Sequence, residues 1–183
     1  MTTSPQSQAQ AQIKSYPAPS ALATLTDLKS EEVQAITEAI NPLIADAFAL
    51  YTKTKNYHWH VASSHFRGYH KLFDKQAKEI RKSIDTLAER VRSLGGTTIR
   101  SISHISQLQT IQDDNSEYVQ AGEMARRLME DNKHITQTQR AAQEVCTRNH
   151  DAATASVLET LIQQSEQRTW FLFEIVQGMN NTD

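Results

Sequence analysis

The sequence predicts an all-α protein, a four-helix bundle with a short extra helix in the long connection between helices two and three. Three of the four prolines lie in the first 19 residues, and none follows Pro42. Because proline interrupts helices, the rest of the chain is free to form long ones. Breaks near residues 63–68, 95–115 and 149–150 divide it into four long segments. A length of 183 residues suits one compact domain.

Composition narrows the classes of function. The 19 lysines and arginines nearly balance 21 acidic residues, so the chain as a whole has little attraction for a polyanion. The single cysteine, Cys146, excludes an internal disulfide and a multi-cysteine zinc site. No apolar run reaches about 18 residues, and the polar N-terminus lacks the apolar stretch of a signal peptide. We therefore expect a cytoplasmic protein that does not associate with membranes.

Residues 1–29 are rich in Gln, Ser, Thr, Ala and Pro. Such a composition buries too little apolar surface to offset the entropy lost on ordering. We predict a flexible N-terminal tail over residues 1–29, a bundle over residues 30–178, and a short C-terminal tail over residues 179–183.

The first helix is predicted to begin with Ser30 as its N-cap, followed by Glu31 and Glu32, whose charges favour a helix N-terminus. Pro42 leaves two possibilities. Either the helix kinks there, or it ends and restarts with Asn41 as cap and Pro42 in the first turn. In both cases it extends to about residue 61.

The second helix is predicted over about residues 69–94, because the pair Gly95 and Gly96 is a strong stop signal. The connection that follows has apolar residues at intervals of three, which predict a short helix packed across the bundle. These residues are Ile99, Ile102, Ile105, Leu108 and Ile111. Helix three is expected over residues 116–148 and helix four over residues 151–178.

The second helix carries four potential metal ligands on one face. His70, Asp74, Asp85 and Glu89 lie at about 0°, 40°, 60° and 100° around the helix axis. His70 and Asp85 are nevertheless about 22 Å apart along the axis, roughly ten times the length of a metal–ligand bond. One subunit therefore does not close the cluster.

A second copy of the helix would resolve this distance. If it runs antiparallel across a two-fold axis near Glu79 and Ile80, His70 and Asp74 lie opposite Asp85 and Glu89 of the other subunit. Such a contact uses the same patch twice and creates two equivalent sites. The sequence thus predicts a metal centre between subunits.

His58 adds a second imidazole, since it lies near the end of helix one, 12 residues before His70. Mixed imidazole and carboxylate ligands suit redox iron, whereas calcium prefers oxygen alone and structural zinc usually recruits thiolates. Iron is therefore the favoured metal. The alternative is an ordinary solvated face, on which Asp85 and Glu89 pair with nearby basic residues. That alternative explains single members of the set better than all five together.

These motifs resemble those of the Dps proteins, mini-ferritins first described as DNA-binding proteins from starved cells. The family combines a His-Trp at the end of helix one with a His-x-x-x-Asp and an Asp-x-x-x-Glu-Arg on helix two. The matching residues here are His58-Trp59, His70 with Asp74, and Asp85 with Glu89-Arg90, followed by Leu94-Gly95-Gly96. A weaker resemblance extends over about residues 30–178, and it implies a ferritin-like bundle.

What the resemblance implies is a ferroxidase. A hollow dodecamer would oxidise Fe(II) with hydrogen peroxide, or dioxygen, and store the Fe(III) mineral, which protects against oxidative stress. His58, His70 and Asp74 would come from one subunit, and Asp85 and Glu89 from its two-fold mate, with Glu89 bridging two irons. Zinc could compete for the same ligands. Classical ferritins instead use Glu-x-x-His motifs inside one bundle, and this chain contains none.

Three further residues have two interpretations each. Trp59 is either an oxidisable indole that scavenges radicals beside the site or an aromatic side chain that packs at the interface. His65 and His150 are expected at the bundle end that carries the metal ligands. There they would supplement the metal site or guide iron entry, or else they are exposed loop residues.

DNA binding is not expected. Some members of the family bind DNA through a lysine-rich N-terminal tail that neutralises phosphates. Residues 1–29 contain only Lys14 and Lys29 as basic residues, opposed by Asp27, so this electrostatic footprint is nearly absent. Two alternatives stay open: a stress-associated structural protein that coats DNA and has a vestigial or zinc-occupied metal site, and a helical dimer without chemistry.

Overall fold

The computed structural model describes residues 20–180, and these residues contain helices but no strand. Within this range a 3₁₀ turn, Ser20–Leu22, precedes five α-helices. They are α1 Ser30–His60, α2 Phe66–Ser93, α3 Ile102–Leu108, α4 Ala121–Arg148 and α5 Ala152–Asn180. The predicted all-α class is confirmed, and so is the short extra helix between the second and third long helices. None of the helices within residues 20–180 combines the length and the hydrophobicity that a membrane span requires.

α1 is a single helix that continues through Pro42. Asn41 does not cap a second helix there, because its side-chain amide donates to the carbonyl of Thr97 (2.9 Å). The expected N-cap was wrong by one residue: Lys29, not Ser30, is the N-cap. The Glu32 carboxylate accepts the backbone N–H of Lys29 (2.8 Å), which is one half of a capping box.

α2 ends at the double glycine. Gly95 has a φ of 88°, a backbone conformation that glycine adopts without a steric penalty. Its N–H donates to the carbonyl of Arg92, and the N–H of Gly96 donates to that of Val91, each over 3.0 Å. These two bonds form a Schellman motif. A Cβ atom on Gly96 would clash with Thr37 Oγ1, so the turn that ends α2 packs closely against α1.

Two other helix boundaries differ from the predictions. α4 begins at Ala121 rather than at residue 116. Asp114 Oδ1 accepts the N–H of Ser116 (3.0 Å), and this local bond competes with helix formation. α5 continues to Asn180, beyond the predicted end at Gly178.

The crossover between α2 and α4 determines which residues share an end of the bundle. α1 packs against α2, and α4 packs against α5. Lys53, in the second half of α1, pairs with Asp131 in the first half of α4 (2.7 Å). Arg90 near the end of α2 pairs with Asp151, which immediately precedes α5 (3.1 Å). α2 and α4 are therefore parallel. The end of α1 and the start of α2 lie at one end of the bundle, and the start of α5 lies at the other.

The core consists of two apolar clusters and a buried group of polar side chains. The first cluster includes Tyr57, Phe73 and Leu128, and the second includes Ile36 and Leu158. Burial of one such side chain stabilises the fold by about 2 kcal/mol. The polar group lies near the middle of α4 and α5 and is hereafter called the central polar layer. It consists of Arg168, Asn132, Ser165 and Gln139.

The last ten residues of the predicted N-terminal tail belong to the described range. Leu28 packs against the second cluster, and the carbonyl of Leu22 accepts a hydrogen bond from Arg92 (3.0 Å). Leu25 is fully exposed. Residues 1–19 and 181–183 lie outside the described residues, so the flexible tails predicted there stay predictions.

Candidate metal centre

Two histidines meet where α1 ends and α2 begins. The rings of His58 and His70 have centroids 3.9 Å apart and planes inclined by 30°. Nδ1 of His58 lies 2.8 Å from the carbonyl oxygen of His70, and Nδ1 of His70 lies 2.9 Å from that of His58. Because a carbonyl oxygen only accepts, each Nδ1 is the donor, and in the neutral tautomer that donates from Nδ1 the lone pair lies on Nε2. These two reciprocal hydrogen bonds fix the tautomer that a metal ligand requires.

The surroundings of this histidine pair restrict its access to solvent. His58 is buried and His70 is half-buried. The ring of Phe66, at the start of α2, lies 5.0 Å from that of His70 and is itself exposed. The two imidazoles are thus held rigidly, with an apolar ring beside them.

Asp74 lies one helical turn after His70, but its carboxylate forms ion pairs with two lysines. Oδ1 lies 3.0 Å from Lys55 Nζ, and Oδ2 lies 2.6 Å from Lys78 Nζ. Hydrogen bonds from Lys78 and from Lys55 lower the pKa of Asp74 to about 2. The group is therefore ionised at neutral pH, as a metal ligand must be, and it is paired with two ammonium groups.

Trp59 lies next to this ion-pair cluster. Lys55 Nζ is 5.5 Å from the centroid of the Trp59 ring, a distance at which a cation is attracted to an aromatic face. More than half of the Trp59 side chain is exposed. This position is compatible with both interpretations of the tryptophan, so its radical-scavenging and interface roles stay predictions.

Asp85 and Glu89 are exposed on α2. Neither makes a hydrogen bond or an ion pair with any residue from 20 to 180. Arg90, a potential partner, instead donates to Asp151 (3.1 Å) and to Thr154 (3.0 Å). The alternative interpretation, a solvated face stabilised by ion pairs, therefore does not apply to Asp85 and Glu89, because neither forms an ion pair with a described residue.

The ligands do not assemble within one chain. Among the described residues, no three His, Cys, Asp or Glu side chains form a group that could hold a metal ion. α2 is continuous from Phe66 to Ser93, so His70 and Asp85 are about 22 Å apart along its axis. A single chain thus presents two separate half-sites, the histidine pair and the carboxylate pair.

Of the two additional histidines, one lies at the expected end of the bundle. His65 immediately precedes α2 and is exposed. The expected position of His150 is wrong, because its Nε2 lies 3.9 Å from Glu32 in the first turn of α1. That turn is about 39 Å along α1 from His58. The cause is the crossover, which makes α4 parallel to α2 and places the α4–α5 turn at the far end.

Within residues 20–180, the bundle interior offers no alternative metal site. Arg168 Nε donates to Asn132 Oδ1 (2.7 Å), and its Nη2 donates to Ser165 Oγ (2.9 Å). Burial lowers the pKa of Arg168 to about 10. Intrabundle di-iron sites place carboxylates and histidines in the bundle core, where this chain has a guanidinium. A second cation there would be repelled.

Two features of the site were missed from the sequence. Lys78 follows Asp74 by four residues, so helical spacing could have identified this pair. Lys55 is on another helix and gave no such signal. The central polar layer was also missed, because the polar residues in α4 and α5 do not reveal which of them face each other.

Comparison with known proteins gives consistent results. A family model described as a ferritin-like domain matches residues 37–181. A low temperature-induced protein of Nostoc sp. is 31% identical over 156 residues, which are 82% of this chain and 85% of that protein. A DNA protection during starvation protein of Brevibacillus brevis is 29% identical over 79% of this chain and 97% of its own. The solved structure of DpsC from Streptomyces coelicolor has a TM-score of 0.82 at 26% identity, covering 88% of this chain and 94% of that one.

Proposed function

Because the chain belongs to the ferritin-like domain family and, within it, to the Dps mini-ferritins, we propose that it oxidises Fe(II) at centres shared between two subunits. The observation that carries this proposal is the histidine pair, whose two Nε2 atoms are held ready to bind a metal. The unpaired carboxylates on the same helix support it. Each half-site needs the other to complete a coordination sphere.

In the proposed dimer, two copies of α2 run antiparallel. His58 and His70 of one subunit then face Asp85 and Glu89 of the other, and each dimer contains two equivalent centres. Asp74 joins the set as the fifth ligand. Imidazole nitrogen and carboxylate oxygen suit iron, and the same donors also accept zinc, which we propose as a competitor.

Iron is the substrate of the proposed reaction. Two Fe(II) ions each give one electron to hydrogen peroxide, whose O–O bond breaks. The two oxygens take up two protons and leave as water. Carboxylates favour the Fe(III) product, because their attraction for a cation increases with its charge. Dioxygen is the second candidate oxidant.

The same proposal includes assembly and location. A site completed by a second subunit requires at least a dimer, and we propose a hollow dodecamer that stores Fe(III) mineral and protects against oxidative stress. Cys146 is buried and unpaired, which suits the reducing cytoplasm. DNA is not a proposed partner, since the overall charge is −2 and residues 1–29 contain only two lysines.

The decisive test is peroxide-driven oxidation of Fe(II). Anaerobic protein loaded with Fe(II) and then given sub-stoichiometric peroxide should show a rapid rise in near-ultraviolet absorbance. His58→Ala combined with Asp85→Ala should abolish the rapid phase. A matched control combines His60→Ala with Asp113→Ala, since both residues are exposed and neither belongs to the ligand set. Rapid oxidation that survives in the first variant would refute the site.

A further inference from the structure

We infer that α2 carries a binding surface for inorganic phosphate, formed by a lysine stripe that consists of Lys71, Lys75, Lys78 and Lys82. The inference deepens the proposed function, on which its consequence for iron storage rests: phosphate bound to this surface accompanies Fe(III) into the stored mineral. Phosphate binding itself needs no metal ion, so it is tested apart from iron oxidation.

The basic residues of the chain are concentrated in α2. This helix contains eight of the 19 lysines and arginines but only four of the 21 acidic residues. The rest of the chain is therefore acidic, although the overall charge is only −2. The potential at a protein surface follows the local distribution of charge. α2 is thus the part of the chain that attracts an anion.

The four lysines share one side of α2. Successive members are four, three and four residues apart, so they lie within about 60° around the helix axis. All four are exposed, and they line one groove of about 430 Å³ together with two carboxylates. Residues at i and i+4 on a helix have Cβ atoms about 5–6 Å apart, close enough for two ammonium groups to bind the same tetrahedral anion. The stripe provides two such pairs, Lys71 with Lys75 and Lys78 with Lys82.

Each pair contains one lysine that is available to an anion. Lys71 and Lys82 form neither a hydrogen bond nor an ion pair with any residue from 20 to 180. Lys75 and Lys78 each pair with a carboxylate of the same helix, at 3.9 Å and 2.6 Å, and their side chains are 64% and 71% exposed. Exposed ion pairs are weak because water and salt screen them. A bound oxyanion therefore recruits the second lysine of each pair at a small cost.

In the proposed dimer, the stripes of the two subunits form one surface. The two-fold axis passes near Glu79 and Ile80, which lie within the length of the stripe. The stripe is centred about 60° around α2 from the middle of the ligand face. Rotation about the two-fold axis keeps both stripes on the same side of the interface. The lysines of both subunits then lie between the two metal centres.

This position has a consequence for the iron product. A cationic surface repels Fe(III) more strongly than Fe(II), because the repulsion increases with charge. Bound phosphate reverses the sign of this interaction, since its oxygens bind Fe(III) directly and without transfer of electrons. Iron that is stored next to the lysine stripe should therefore contain phosphate.

Nucleic acid is another source of phosphate groups, but the stripe favours the free ion. Asp74 and Glu79 lie on opposite sides of the stripe around the helix axis, and both line the same groove. The phosphates of a duplex extend beyond one lysine pair and would meet these carboxylates, which repel them. A single phosphate ion contacts one pair and avoids both.

Equilibrium dialysis of the intact metal-free oligomer against radiolabelled orthophosphate tests the inference. The wild type should bind about two phosphates per subunit at low ionic strength, and added salt should weaken binding because it screens exposed charges. Lys71→Gln combined with Lys82→Gln should weaken binding at least about fivefold, because each pair loses a charge that lies about 4 Å from the anion. Lys71→Arg combined with Lys82→Arg keeps both charges and should bind phosphate as the wild type does.

The matched control combines Lys29→Gln with Lys133→Gln. Both lysines are exposed and lie outside α2, so this variant loses the same total charge and leaves the stripe intact. It should bind phosphate as the wild type does. An equal loss of affinity in the control and in the glutamine variant of the stripe would overturn the inference, and so would a wild type that binds no phosphate.

A competition experiment separates the two sources of phosphate. Excess duplex DNA should leave the bound orthophosphate in place on the wild type. If the duplex displaces the orthophosphate, the stripe is a nucleic-acid surface and the inference is wrong.

Iron loading in phosphate buffer measures the consequence for the mineral. After Fe(II) and peroxide are added, iron and phosphate should elute together with the oligomer in gel filtration. The ratio of phosphate to iron should be at least about twofold lower in the glutamine variant of the stripe than in the control. Equal ratios would overturn the inferred role in storage. The proposed function fails separately, if rapid oxidation survives in the variant that combines His58→Ala with Asp85→Ala, because phosphate binding by the metal-free wild type does not depend on that result.

Discussion

The central polar layer and the candidate ligand set are both polar, and they differ in whether their groups have partners. In the layer, Arg168 donates to Asn132 and Ser165, and Ser165 donates to Gln139 (3.0 Å). In the ligand set, the imidazole Nε2 atoms and two carboxylates have no partner in the described range.

This difference identifies which polar groups serve the fold and which serve chemistry. A buried polar group without a partner costs stability, so groups in the core are selected to satisfy one another. At the surface water removes that cost, and a group can stay available for a ligand. The paired layer therefore belongs to the structure, whereas the unpaired imidazole Nε2 atoms and the carboxylates of Asp85 and Glu89 belong to the proposed metal centre. Asp74 is the exception in the ligand set, because it is paired with Lys55 and Lys78.

The largest stability effect is expected in the central polar layer. Arg168→Leu removes the donor of two buried hydrogen bonds and should lower the free energy of unfolding by about 3 to 4 kcal/mol. Arg140→Leu is the control, because Arg140 is exposed and pairs with the exposed Glu166, and it should cost less than about 1 kcal/mol. Denaturant unfolding at one protein concentration measures both. Equal effects would show that the buried hydrogen bonds of the layer stabilise the fold no more than an exposed ion pair does.

An intermediate and pH-dependent effect is expected at Asp114. Burial of this carboxyl opposes its ionisation, but hydrogen bonds from Tyr57, Ser116 and Arg127 hold its pKa well below the usual range. A carboxyl whose pKa is lower in the folded protein than in the unfolded chain stabilises the fold above about pH 4, where it is ionised in both states. This stabilisation is lost as the pH falls towards the pKa of the folded state.

Asp114→Asn should therefore lower the free energy of unfolding by about 2 kcal/mol at pH 6, and the difference from the wild type should narrow towards pH 3. Urea unfolding at both pH values measures it. A difference that stays constant between the two would show that the charge of Asp114 is not what stabilises this network.

The smallest stability effect is expected at the carboxylate half-site. Asp85→Asn with Glu89→Gln removes two charges that have no partner in residues 20–180, so the metal-free protein should change by less than about 0.5 kcal/mol. Rapid Fe(II) oxidation should nevertheless disappear. A large loss of stability in thermal unfolding would instead assign these carboxylates to the fold.

Much of the fold could be predicted, because its signals are local. The absence of proline after Pro42 and the stop at Gly95 and Gly96 locate the long helices. His58 and His70 are only 12 residues apart across a short loop, which places both at one end of the bundle, and their ring centroids lie 3.9 Å apart. Local periodicity also placed four ligands on one face of α2.

The predictions were wrong or incomplete where the position of a residue depends on how separate helices are arranged. Periodicity shows which face of a helix is apolar, but not which ends of two helices meet, and His150 was placed at the wrong end for this reason. The pairing of Asp74 with Lys55 also joins two helices. α4 begins later than predicted because the Asp114 carboxylate accepts the N–H of Ser116, a local bond that competes with helix formation before the helix begins.

The central claim is that each metal centre is shared between two subunits, and mixing two inactive variants tests it directly. His58→Ala subunits lack a ligand from one half-site, and Asp85→Ala subunits lack one from the other, so neither homodimer contains an intact centre. In a mixed dimer, one of the two centres is intact. With random pairing after co-expression at equal levels, about one quarter of all centres should be intact, and the rapid Fe(II) oxidation should return to about one quarter of the wild-type amplitude. A mixture no more active than either variant alone would contradict the shared centre.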